Sequence, residues 1–67
     1  MNEIIKKIKS KTATEFDLQE LVKFFAENLE SLTLGEEVMC KEYIRKGADN
    51  LKIHPKDIQD VFNSYRR

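Results

Sequence analysis

The stretch TEFDLQELVKFFAENLESL, running from Thr14 to Leu32, decides the fold. Its first four residues put a threonine hydroxyl three positions ahead of the carboxylate of Asp17, a capping-box arrangement with Asp where Glu is usual. Leu18, Leu21, Val22, Phe25, Leu29 and Leu32 follow at spacings that hold all six within about 100° of arc on a helix. The pattern predicts one amphipathic helix carried through Leu32, and makes that helix the spine of the core.

Working outward, the N-terminal side offers Ile4, Ile5 and Ile8 on one side of a short helix near residues 2–10. Nine or so residues do not hold helical shape alone, so this segment must dock on the others. On the C-terminal side, Thr33-Leu34-Gly35-Glu36 repeats the capping logic directly after Leu32 and predicts a sharp turn, with a third helix starting near Gly35. Its inward stripe reads Met39, Cys40, Tyr43, Ile44, Ala48 and Leu51, while Glu37 with Lys41 and Glu42 with Lys46 form i,i+4 pairs on the wet side. Gly47 interrupts that stripe, either to let two helices approach closely or to end the helix early. His54-Pro55 ends whatever precedes it and starts a fourth helix over about 55–65, with Ile58, Val61, Phe62 and Tyr65 at i, i+3, i+4 and i+7. No stretch sustains period-two alternation. The sequence therefore predicts an all-α fold, a small compact bundle of about four short helices forming a single domain over residues 1–67.

Composition limits what such a domain does. The chain has 67 residues, one cysteine, one histidine and equal numbers of acidic and basic side chains, 12 of each. A lone Cys40 makes no internal bridge, so the expected compartment is a reducing cytoplasm. The apolar runs are at most three residues long, far short of the roughly 18 needed for a membrane span, and the lysine-isoleucine alternation at the start lacks the order of a secretion signal. Charge is segregated along the chain. Residues 1–11 carry four lysines against Glu3, residues 12–42 carry eight carboxylates against Lys23 and Lys41, and residues 43–67 carry six bases against three acids. Such segments either balance one another inside one fold or leave an acidic face that steers a basic partner.

Catalytic and metal chemistry find little to work with. Cys40 and His54 are the only soft ligands, whereas a structural zinc site usually takes four. Cys40 lies on an apolar face, where cysteine behaves as a small hydrophobe, and His54 sits at a helix start, where capping is its ordinary role. There is no glycine-rich phosphate loop and no calcium loop. The expectation is a non-enzymatic protein with no cofactor and no small-molecule substrate.

The C-terminal pattern Ala48-x-x-Leu51-x-Ile53-x-Pro55-x-x-Ile58-x-x-Val61 resembles the helix-turn-helix signature of DNA-binding regulators over about 20 residues. The resemblance implies residues 55–64 as a recognition helix, with His54, Lys56, Gln59 and Asn63 as contacts to bases or phosphates. This sequence departs from that signature at Lys52, where the turn usually has glycine, and at Gly47, usually apolar; Asp57 and Asp60 add negative charge to the reading helix.

A second surface is apolar residues off the core stripes. Phe24 projects about 60° beyond the edge set by Leu21, and Val38 lies nearly opposite the main stripe of its helix. Phe24 either packs on the first helix or, ringed by Glu20, Glu27 and Glu30, forms the centre of a protein contact, since interfaces collect aromatics at the middle and charges at the rim. A core of about twenty apolar side chains is thin, and association is one way such a domain gains stability. The sequence thus points first to a small binding or regulatory protein that docks a helical surface on a protein partner or a second copy of itself. A helix-turn-helix regulator is the alternative.

Overall fold

Local capping sets where the helices begin. The computed structural model describes residues 2–66, with α1 (Asn2–Lys9), α2 (Glu15–Glu27), α3 (Leu34–Leu51) and α4 (Pro55–Tyr65). Both capping boxes form: Thr14 N donates to Asp17 Oδ2 at 3.0 Å while Asp17 N donates to Thr14 Oγ1 at 3.2 Å, and Thr33 and Glu36 repeat the exchange at the same two distances. Those reciprocal bonds hold both carboxyls below the usual carboxylate range, chiefly through the threonine backbone N–H each accepts from. At α4 the His54 imidazole does the same work, its Nδ1 accepting from Lys56 N at 3.1 Å, with Pro55 at the first helical position.

Helix ends use a less usual device. After α1, Thr12 N donates to Lys7 O at 2.8 Å and Lys11 N to Ile8 O at 3.1 Å; after α3, Ile53 N donates to Ala48 O at 2.8 Å and Lys52 N to Asp49 O at 3.2 Å. Each is the paired hydrogen-bond pattern of a Schellman ending, whose left-handed residue is most often glycine. Here lysine fills it twice, with φ of 61° at Lys11 and 57° at Lys52. Lys52 therefore makes the tight turn despite its side chain.

The second helix is shorter than its apolar spacing predicts. It stops at Glu27 because Asn28 turns its side chain back, Nδ2 donating to Phe24 O at 2.9 Å, and Ser31 N and Leu32 N then bond to Asn28 O. Leu29 and Leu32 still pack on the core, half-buried, but from the turn and not from the helix. The third helix starts at Leu34, one residue before Gly35, and Met39 is 44% exposed where the stripe placed it inside. Tyr65, expected on the inner face of α4, is also partly exposed.

Packing centres on α2. Ile8, Leu18, Leu21 and Val22 are the most completely buried side chains, joined by Phe25, Ala26, Cys40, Ile44 and Ala48. At about 1.5–3 kcal/mol for each large apolar side chain withdrawn from water, this cluster is the main driving force for folding. Gly47 is buried without ending α3, which runs on to Leu51. Its missing side chain admits Leu18 and Ile8, so close approach is the reason glycine stands there. Asn50 Nδ2 donates to Ile8 O at 3.1 Å and ties α3 to the end of α1, while Lys7 and Asp17, 3.7 Å apart, join the basic N-terminal segment to the acidic middle. The fourth helix leans mainly on α2, with Phe62 meeting Phe25 at 5.4 Å between ring centres, and touches α3 little. No side chain of α4 is fully buried. No helix among the described residues is long and apolar enough to cross a membrane.

Candidate functional site

Because α3 and α4 both rest on α2 without closing on each other, a groove of about 680 Å³ runs between them. Val22, Phe25 and Leu29 of α2 and its following turn form the floor. Glu37, Lys41, Ile44, Arg45, Ala48 and Asp49 supply the α3 bank, and Pro55, Ile58, Gln59, Phe62 and Arg66 the α4 bank. On each helix these positions recur at three- and four-residue steps, so each element turns one face to the slot. The inner part is apolar and the rim is charged. Along α3 the slot spans Glu37 to Asp49, about 18 Å at 1.5 Å per residue.

The apolar bank continues beyond the groove. Leu34 is 77% exposed and Val38 56% exposed. At 100° per residue they fall within about 60° of arc with Lys41 and Arg45, so the first turns of α3 extend that bank with unburied apolar surface. A smaller hollow of about 420 Å³ opens on the other side of α4, where Glu15, Gln19, Lys52, His54 and Asp57 face a lining that is otherwise apolar. Val22 and Ile58 line both spaces, so α4 stands between two hollows.

The acidic-aromatic surface expected on α2 is split by the early end of that helix. Glu20 and Phe24 are half-buried, Glu27 is exposed at the last helical residue, and Glu30 is exposed in the turn beyond. Sequence reading missed Phe16, which is 68% exposed and lies within about 40° of Glu20 and Glu27 around the helix. Its signal was present: an aromatic in the first turn, off the stripe begun by Leu18.

The candidate nucleic-acid contacts gather on one element. His54, Lys56, Gln59 and Asn63 are all exposed, and Gln59 Nε2 donates to Asn63 Oδ1 at 3.1 Å. Only Gln59 of these also lines the groove. His54 spends a ring nitrogen on the helix cap. Asp57 and Asp60 are exposed on the same helix, and the turn from α3 to α4 is residues 52–54.

Charged groups elsewhere are engaged in support. Lys9 and Lys46 stand 5.7 and 5.6 Å from the centre of the Tyr43 ring, one from each side of the α1–α3 contact. Lys46 also pairs with Glu42 at 3.8 Å. Cys40 is buried; desolvation, then the negative charge of Glu36, pushes its thiol up, away from the nucleophilic thiolate. Among the described residues no group of three His, Cys, Asp or Glu side chains is placed to hold a metal ion.

Compared with known protein families, curated proteins and solved structures, the chain matches none. The geometry of the groove is therefore what a functional reading has to rest on.

Proposed function

We propose that the protein is a small non-enzymatic binding module that receives a helical segment of a protein partner in the groove between α3 and α4. The observation that carries this reading is the convergence of one face from each of α2, α3 and α4 on an open slot with an apolar floor and charged banks. Its span of about three helical turns matches the helix-in-groove mode, in which a partner seats apolar residues at i, i+3, i+4 and i+7. Half-buried Phe62 in its lining is an aromatic of the kind that interfaces collect, and Lys41, Arg45 and Arg66 form part of the rim.

A second reading, sequence-specific DNA binding through α4, draws support from the exposed amides of Gln59 and Asn63, the nearby Lys56 and the short turn before the helix. It has to overcome Asp57 and Asp60 and a formal net charge of zero, because phosphate neutralisation supplies most non-specific affinity for DNA.

One experiment separates these surfaces. Size-exclusion with light scattering fixes the oligomeric state, and pull-downs from lysate, with and without nuclease, compare the native chain with Gln59→Trp, Lys56→Glu and Phe24→Ala, each first shown to be helical by circular dichroism. Groove binding predicts a nuclease-resistant partner lost with Gln59→Trp and kept with the other two. Loss confined to Phe24→Ala would move the site to the outer face of α2, and a nuclease-sensitive, Lys56-dependent capture would leave the DNA reading standing.

A further inference from the structure

We infer that the segment taken by the groove is an amphipathic helix whose apolar stripe is bordered by carboxylates. The inference rests on the groove reading above and adds the chemistry of the occupant. Three side chains of the rim are cationic: Lys41, Arg45 and Arg66. Lys41 is already committed, its Nζ lying 3.3 Å from Glu37. Arg45 and Arg66, on opposite banks, have no carboxylate within ion-pair distance among the described residues, and Asp49 is the single acidic rim residue outside the Lys41 pair. The Arg66 guanidinium sits 6.0 Å from the centre of the Phe62 ring, which places its charge beside the apolar lining.

An arginine at the edge of an apolar surface favours a carboxylate over any other common protein group, because its planar fork matches two carboxylate oxygens and its weak hydration makes desolvation cheap. With one such fork on each bank, an acidic residue on either shoulder of the incoming helix finds a partner, while a basic one meets like charge. The slot is also bounded by side chains of helices and offers no row of free backbone N–H and C=O groups, so an extended segment would gain no ladder there.

Two synthetic 14-residue peptides with the same leucine stripe at i, i+3, i+4 and i+7, one flanked by glutamates and the other by lysines, test this by fluorescence polarisation against the full chain. The glutamate peptide is expected to bind about tenfold more tightly or better, to weaken with salt, and to lose that advantage against the Arg45→Glu, Arg66→Glu double variant. Gln59→Trp should weaken both peptides. Equal affinity for the two peptides, or preference for the lysine one, overturns the inference and leaves the groove reading intact. Failure of both to bind, or binding indifferent to Gln59→Trp, overturns the groove reading itself. A stable dimer in light scattering that Gln59→Trp dissociates would assign the slot to a second copy and also overturn the inference.

Discussion

A Cβ added to Gly47 would come within 2.8 Å of Leu18 Cδ1, closer than side chains pack. The contact couples the C-terminal third of α3 to the first turn of α2, at a leucine that is 1% exposed. Gly47→Ala should gain roughly 1 kcal/mol of helix propensity and lose about 1–3 kcal/mol to overpacking, so the native chain is expected to lose stability or hold level. In a Leu18→Val background, which has no δ carbon, the same change should become stabilising. Urea denaturation of the four proteins measures the coupling; Gly47→Ala gaining its full propensity in the native chain would show that Leu18 is free to move aside.

The lysines at left-handed positions carry a cost that glycine would remove. Lys11→Gly and Lys52→Gly should each raise stability, by up to about 1 kcal/mol, or several degrees of melting temperature in a domain this small. Thermal unfolding followed by circular dichroism checks it. A fall in melting temperature for both variants would mean that the lysine side chains contribute more than their backbone geometry costs.

Acid should loosen the starts of α2 and α3 together. Asp17 and Glu36 titrate lower in the folded chain than in the unfolded one because each accepts a threonine backbone N–H. The sign follows: the unfolded chain binds protons more readily, so this contribution is fully present above the ordinary carboxylate range near about pH 4 and is lost as pH falls through the depressed values. Melting temperature should therefore drop below about pH 4 less steeply in the Asp17→Ala, Glu36→Ala double variant than in the native chain, although that variant starts less stable. Parallel pH profiles would count against the capping boxes as the source of acid sensitivity.

Cys40 should react slowly with a thiol reagent at neutral pH while the chain is folded and rapidly in denaturant. Burial both hides the sulfur and disfavours its thiolate, and Glu36 one turn away adds to the second effect. Similar rates in the two conditions would place the thiol in contact with water.

What could be read from the sequence was set by local chemistry. The capping residues Thr14, Thr33 and His54-Pro55 announce their helices because the bonds involved span two or three positions, and all three form. Where α2 ends was hidden because Leu29 and Leu32 keep the helical spacing and still reach the core, while a single amide, Asn28, redirects the backbone. Met39 misled for a related reason: it sits at the border of the apolar arc, where spacing alone does not say how wide the covered stripe is. The groove was out of reach altogether. Periodicity identifies Ile44, Ile58 and Phe62 as inward-facing, but whether α3 and α4 meet or stand apart depends on how each sits on α2, a relation between elements that no local pattern encodes.

One wall of that groove is also a helix with no fully buried side chain. With no fully buried side chain and a hollow on each flank, α4 has less apolar anchorage than α2 or α3, and backbone amides on such an element exchange with solvent through local opening well before the whole domain unfolds. Residues 55–65 are therefore expected to open below the global unfolding free energy, which amide exchange measures. A ligand seated against α4 would slow exchange there most of all and spend part of its interaction energy ordering the wall it binds, which ties affinity at this site to the rigidity of a single eleven-residue helix.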